Sequence, residues 1–292
     1  MTAAITIHFR KPALTARCVD SLLADGWNPI LVWDNSDDAG ASLQALQARY
    51  AADPRVVLVG SPSNLGFGKG MNAALAALGQ RGYAGPVLLV NNDAYVEPGM
   101  RVALEAQLQG GGETALVAPR LVQDGQEQGW LYYQPWLALV TKRALPGSFA
   151  YLSGCCLLVA RPDNAQPLFD EDFFMYGEDV ELSWRMRRTG GRMVLLDRSY
   201  LRHEGSASSG QASEVYERCL VNSHWRLAEK FAGNGFKMVL MRASRLPTLL
   251  ARACLRALRY RSAVPLRALR HGFQRDNSLP TDHIIRRYPR VR

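Results

Sequence analysis

Between Phe169 and Asp179 the chain sets five carboxylates (Asp170, Glu171, Asp172, Glu178 and Asp179) among four rings (Phe169, Phe173, Phe174 and Tyr176). A lone His203 stands 24 residues further on. Rings wall off water, and a carboxylate shielded from water becomes a better base. Val180, Leu182, Trp184 and Met186 follow in a helix-favouring segment. Glu178 and Asp179 are therefore expected to open a helix whose amino end favours anions. A plainer alternative, an acidic helix start with Phe173, Phe174 and Tyr176 as ordinary core, stays open at this level.

Four other places carry chemistry. Asp34 ends the apolar run Ile30-Leu31-Val32-Trp33, where a carboxylate can accept hydrogen bonds from a nucleotide base or ribose; a simple turn is the rival reading. Asn64-Leu65-Gly66-Phe67-Gly68-Lys69-Gly70-Met71-Asn72 is a glycine-rich turn before a helix, which lets backbone N–H groups approach a phosphate or ring. It has neither the P-loop spacing nor G-x-G-x-x-G, which disfavours a P-loop ATPase or a classical NAD-binding protein. Asp93, after Val87-Leu88-Leu89-Val90-Asn91-Asn92, is placed to hold a divalent cation together with substrate phosphates. His203 is a candidate second ligand, although a lone histidine is more often structural. The small-residue run Ser206–Gly210 after it has the composition of a mobile loop.

These residues need a frame that brings them together. Strand and helix signals alternate through the first half: Ile5–Phe9 then Leu14–Ala24, Ile30–Trp33 then Ser42–Ala51, Val56–Val59 then Lys69–Gly79, Val87–Val90 then Gly99–Gln109. That order predicts an α/β fold, a mostly parallel Rossmann-like sheet flanked by helices, with ligands at the carboxyl ends of the strands. His8 and Arg10, Asp34 to Ser36, Asn64 to Gly68, and Asn91 to Asp93 would then converge on one crevice. Ala115–Pro119, Tyr151–Ala160 and Met193–Leu196 read as strands, and 125–148, with Trp130, Tyr132, Tyr133 and Trp136, as an aromatic loop region.

Of the 292 residues, 48% are hydrophobic and 21% charged, enough for a sizeable core. The five cysteines contain no C-x-x-C pair, which points to reduced, buried thiols. The chain runs almost directly into a strand, so no signal peptide is expected, and no apolar run is long enough to span a bilayer. Charge is unevenly placed: residues 230–275 hold eleven Lys/Arg and no Asp or Glu. The 230–292 segment carries +13 and the remainder −4 of the net +9.

Taken in order, N-L-G-F-G to Asn72, N-N-D at 91–93, G-C-C-L-L-V at 154–159, F-D-E-x-F-F-x-Y-x-E-D-V-E-L-x-x-R from Phe169 and H-x-G at His203 resemble the family 2 glycosyltransferases of GT-A fold, especially their rhamnosyltransferase-like branch. The resemblance covers roughly residues 3–232. It implies a catalytic domain over 1–229, with a nucleotide-sugar half (about 1–110) and an acceptor half (about 111–229), and a basic helical extension over 230–292. By the same resemblance Asp179 is the catalytic base with Glu178 beside it, and Asp93 is the last residue of the D-x-D metal motif, binding Mg2+ or Mn2+ with His203. Many members have Asp where this chain has Asn91. The donor would be held by His8, Arg10, Asp34, Asn64, Gly66, Phe67, Asn72, Asn92 and Asp93, and the acceptor by Asp170, Glu171, Phe174 and Tyr176. The Q-x-x-R-W motif of processive synthases is missing, so one sugar per encounter is expected.

The implied activity is inverting transfer of one sugar, with L-rhamnose from dTDP-rhamnose as the family-level candidate, to a cell-surface glycan or lipid-linked acceptor. A sugar-1-phosphate nucleotidyltransferase and a non-catalytic nucleotide-sugar or glycan binding module are the alternatives. In Pro247–Tyr260, Leu250, Ala253, Cys254, Ala257 and Leu258 share one helical face, and Arg252, Arg256 and Arg259 another. This predicts a helix whose arginines meet an anionic membrane surface, ahead of plain packing on the body and of nucleic acid. The expected location is cytoplasmic, peripheral on the inner face of a bacterial cytoplasmic membrane.

Overall fold

In the computed structural model, residues 1–108, 115–160, 166–204 and 213–271 are described. The Ser206–Gly210 loop and residues 272–292 lie outside them. The first half follows the expected alternation: β1 (Ala3–His8), α1 (Pro12–Ala24), β2 (Ile30–Asp34), α2 (Ala41–Tyr50), β3 (Val56–Gly60), α3 (Phe67–Gln80), β4 (Val87–Asn91), β5 (Ala94–Val96) and α4 (Met100–Ala106). Then come β6 (Ala115–Gln123), β7 (Gln126–Gln128), β8 (Leu131–Gln134), β9 (Leu139–Thr141), β10 (Phe149–Tyr151), β11 (Cys156–Val159), α5 (Glu178–Arg188), β12 (Arg192–His203), α6 (Glu214–Ala232), α7 (Gly235–Tyr260) and α8 (Val264–His271).

The central sheet runs β3-β2-β1-β4-β11-β6-β12-β5, with β7 pairing β6. Its first four strands are mutually parallel, as are β6 and β12, while β11 inserts antiparallel between β4 and β6. Helices cover both faces, so strand residues alternate between two cores: Ala4, Ile30, Val32, Leu88 and Val90 face α1, whereas Ile5, Ile7, Leu31 and Leu89 face α3 and α5. Both faces being dry explains why these strands read as continuous apolar runs.

Two expectations are corrected here. The 125–148 segment is not simply a loop: Leu131–Gln134 and Leu139–Thr141 form a small antiparallel sheet with Phe149–Tyr151. Tyr133 on that sheet packs with Phe149, Phe231 and His224, a tertiary stabilisation with no local sequence period. Two of the three arginines on the basic face of α7 also turn inward, while Arg259 stays exposed. Arg252 and Arg256 both reach Glu217 of α6, which is 1% exposed, with Arg252 at 2.8 Å. A buried carboxylate must be paired, and these guanidiniums are its partners. Arg245 is fully buried and donates to the carbonyls of Pro135 and His224. The 229/230 boundary falls inside α6, and Met241 and Leu249 of α7 share buried clusters with α6.

Candidate active site

A cavity of about 290 Å³ opens at the carboxyl ends of the parallel strands. Its wall takes Ile7 of β1 and Phe9 just after it, Asn35 after β2, Asn64 and Gly66 from the turn before α3 with Phe67 at the helix start, and Asn91 at the end of β4 with Asn92 and Asp93 after it. Because β11 runs antiparallel to β4, its start lies beside the end of β4, where the Asn91 N–H donates to the Cys155 carbonyl at 2.9 Å. This adds Ser153, Gly154 and Cys155 to the wall. Phe174 to Tyr176, Glu178, Asp179, His203 and Val215 close it.

Glu178 and Asp179 do open a helix. Tyr176 and Gly177 ahead of it both have positive φ, 69° and 88°, and at Gly177 a Cβ would stand 3.0 Å from Ser223 Cβ. That reversal aims the helix start at the cavity. The Asp179 carboxylate accepts from the Gly154 N–H at 2.9 Å and the Val180 N–H at 2.8 Å. Burial pushes Asp179 up from the usual aspartate value, and these N–H donors pull back toward the charged form. Glu178 has no such help on Oε2, which is buried without a hydrogen-bond partner. Burial and then the neighbouring Asp179 charge push it up to about 8. Near neutral pH the pair therefore divides: Asp179 is the group fitted to be ionised, and Glu178 the one to hold a proton.

A stability consequence follows from the Glu178 shift. With the folded value above the ordinary 4.5, the folded state binds the proton more tightly, so stability falls as pH rises from about 4.5 through about 8. Glu178→Gln carries no charge and escapes that loss. Its Tm should match the parent near pH 4 and exceed it by about 5 °C at pH 8.5. A Tm difference independent of pH would count against the buried, proton-holding Glu178.

Asp93 and His203 meet across the cavity wall. His203 ends β12, in register with Ala94 and Gln123. Its Nε2 lies 3.1 Å from Asp93 Oδ1 and its Nδ1 3.1 Å from Gln123 Oε1. Gln123 accepts from Nδ1 and Asp93 faces Nε2. Burial opposes the imidazolium, but the neighbouring Asp93 carboxylate favours it and raises His203 above the ordinary histidine value, so a metal ion would bind Nε2 only by displacing its proton. Asp93 and His203 would offer a cation one carboxylate oxygen and one imidazole nitrogen. Asn91 Oδ1, also on the wall, is buried without a partner. Among the described residues no group of three or more His, Cys, Asp or Glu could hold a metal. The donor set thus fits an Mg2+ or Mn2+ site completed by substrate phosphates, not a protein-only cage.

Other expected contacts fall elsewhere. His8 is fully buried, bonded to Thr15 at 2.7 Å and Ser42 at 3.0 Å, and does not line the cavity. Asp34 accepts the Ser36 N–H at 2.9 Å, and Arg10 binds Ser36 and the Asp37 carbonyl; together they shape the loop that presents Asn35. Asn72 grips the Phe169 backbone at 2.8 and 3.0 Å. Asp170 pairs with Lys230 at 2.5 Å, and Glu171 with Lys69 at 3.8 Å. None of these six residues is on the wall, whereas Asn64, Gly66, Phe67, Asn92, Asp93, Phe174 and Tyr176 are.

The phosphate-cradle expectation for the glycine-rich turn is corrected. The Phe67 N–H donates to the Phe174 carbonyl at 2.9 Å, and a Cβ at Gly66 (φ +80°) would stand 2.2 Å from that same oxygen. At Gly70 it would stand 2.8 Å from Asn35 Nδ2. These glycines let the turn press against the acidic-aromatic segment. Asn35, expected at the crevice with the 34–36 strand end, is on the wall, and Ser153, Gly154 and Cys155 join it without having been expected there. Asn35 had a strand-end position as its signal; the others depend on the antiparallel insertion of β11.

Comparison with known proteins follows the same lines. Residues 3–165 match the sequence model described as Glycosyl transferase family 2. The N-acetylglucosaminyl-diphospho-decaprenol L-rhamnosyltransferase of Mycobacterium tuberculosis is 29% identical over 216 residues, covering 62% of this chain and 68% of that protein. Among solved structures, GalNAc-T7 with UDP, GalNAc and Mn2+ superposes with a TM-score of 0.61 at 11% identity, over 80% of this chain and 48% of that one. Mannosyltransferase PcManGT from Pyrobaculum calidifontis, in complex with GDP-Man and Mn2+, gives 0.55 at 13% identity, over 93% and 85%. At such identities the structures establish a shared fold, the GT-A arrangement of sheet and helices.

Proposed function

Given that the chain belongs to glycosyl transferase family 2 and is a sugar-transferring enzyme, we propose that it moves one sugar with inversion from a nucleoside-diphosphate donor to a lipid-linked glycan. dTDP-rhamnose is the proposed donor; L-rhamnose as the sugar and a lipid-linked acceptor are supported by the mycobacterial relative, named as an N-acetylglucosaminyl-diphospho-decaprenol L-rhamnosyltransferase. The observation that carries the mechanism is Asp179, fastened by two N–H donors on the same cavity wall as the Asp93–His203 pair.

Asp179 would take the proton from the acceptor hydroxyl as that oxygen attacks the anomeric carbon. Asp93 and His203 would hold a divalent cation, which supplies charge neutralisation to the departing diphosphate. Asn35 and Asn64 brace the Gly66 turn on the donor side, Asn92 is fastened to Thr15, and Phe174 and Tyr176 wall the acceptor side. Glu178, holding its proton, keeps a second negative charge away from the base. The nucleotidyltransferase alternative loses support: the segment after β1, Phe9-Arg10-Lys11-Pro12, has no glycine-rich triphosphate loop, and the family match lies elsewhere. We place the enzyme on the cytoplasmic face of the membrane, as a peripheral protein on anionic lipid.

The test is a thermal-shift screen of dTDP-, UDP- and GDP-sugars with and without Mn2+, followed by transfer to a synthetic polyprenyl-diphosphate acceptor. dTDP-rhamnose at about 100 times its Kd should raise Tm by about 5 °C, and only with the cation. If no nucleotide sugar shifts Tm under either condition, the reading fails.

A further inference from the structure

Helix α7 is apolar on its outer face as well as on its inner one. Its inner face, at Met241, Arg245, Leu249 and Ala253, is buried, with Arg252 and Arg256 held beside it by Glu217. Its outer face is apolar: Phe236 is 76% exposed, Val239 61%, Leu240 45%, Leu250 50%, Leu255 67% and Leu258 76%. This stripe runs the length of a 26-residue helix, about 39 Å. Soluble monomers seldom leave so continuous an apolar strip in water. No described helix is long and apolar enough to cross a membrane, so the strip is not a span.

The surroundings say what covers it. Lys237, Arg259, Arg261, Arg267 and Arg270 are exposed around the strip, and residues 230–271 contain no Asp or Glu. The carboxylates of α6 that face α7, Glu217 and Glu229, are already taken by Arg252, Arg256 and Arg242, so a second copy laid symmetrically on this face would set the remaining basic side chains against one another. Anionic headgroups above an apolar layer match both the charge and the strip. The far end of α7 is linked to the cavity wall through Tyr216 of α6. Tyr176 of the wall packs edge-on against Tyr216 at 5.2 Å, and the Arg256 guanidinium lies 5.2 Å from the Tyr216 ring and 4.9 Å from that of Tyr260.

We propose that the outward leucine face of α7 inserts into the interface of an anionic membrane, its basic rim on the headgroups, and holds the Tyr176 side of the cavity at the lipid surface. The last clause rests on the proposed lipid-linked acceptor; the insertion itself does not. The leucines, not the arginines of the inner face, are the membrane anchor.

Flotation of the full chain with phosphatidylglycerol/phosphatidylethanolamine vesicles, and with phosphatidylcholine vesicles, tests this. Leu250→Ser/Leu255→Ser/Leu258→Ser should weaken binding to the anionic vesicles at least about tenfold, with the Mn2+-dependent nucleotide-sugar thermal shift unchanged. Leu258→Trp should fluoresce further to the blue on these vesicles and be quenched by brominated lipid beyond the native tryptophans. Equal vesicle binding by parent and triple variant would overturn the proposal. So would a parent dimer that the triple variant dissolves while vesicle binding persists. Loss of the nucleotide-sugar shift in the parent protein would refute the transferase reading instead, and leave the flotation result standing on its own.

Discussion

Asp179→Asn binds the nucleotide-sugar donor as the parent does and transfers almost nothing: kcat falls by about 10³-fold. The amide is nearly isosteric, and its oxygen can still accept from the Gly154 or Val180 N–H, so the helix start keeps its place. What is lost is the site for the acceptor proton. Donor affinity, read by calorimetry with Mn2+, should stay within about twofold, because Asp179 carries no charge toward the diphosphate in this scheme. Turnover within tenfold of the parent would remove Asp179 as the base and turn attention to Glu178. That substitution is unattractive physically, since Glu178 holds its proton up to about pH 8 and is a poor acceptor below it.

Asp93→Ala is the second large effect, and it acts on binding. The carboxylate is 7% exposed and supplies the charged half of the Asp93–His203 pair. Without it the cation keeps one protein ligand, and the diphosphate loses the charge that would hold it. Mn2+-dependent donor affinity should fall by more than the roughly 10–100-fold expected when only an outer partner is removed, as in Gln123→Leu, where His203 loses the acceptor on Nδ1. Unchanged calorimetric affinity of Asp93→Ala with Mn2+ or Mg2+ would discard the metal site. A larger loss in Gln123→Leu than in Asp93→Ala would place the cation elsewhere on the wall.

The residues that line the cavity and those that brace it share the same sequence motifs. Both kinds sit at strand ends, so position along the chain does not separate them. His8 and Asn35 illustrate this: each is just at or past the end of a strand, yet His8 turns to Thr15 and Ser42 beneath the sheet while Asn35 sits on the cavity side, braced to the Gly66 carbonyl. A strand alternates its side chains, and which face of the sheet holds ligand is set by the helices that cover the other.

What the sequence determined by itself is the βαβ order of the first half, the helix start at Glu178 and Asp179, and the set of groups able to do the chemistry. These are local properties: periodicity, turn residues and residue type act within a few positions of the chain. The tertiary structure decided how two adjacent carboxylates differ. Only the start of β11, folded back antiparallel beside β4, brings the Gly154 N–H to Asp179 and leaves Glu178 Oε2 unbonded. It also decided the orientation of α7. A helical wheel shows one arginine face and one leucine face but not which is inside; the buried Glu217 on α6 draws Arg252 and Arg256 inward and turns the leucines to the surroundings. The physical reason is the same in both cases. The energy of a charged group depends on what surrounds it in space, and that environment is assembled from segments far apart in the chain.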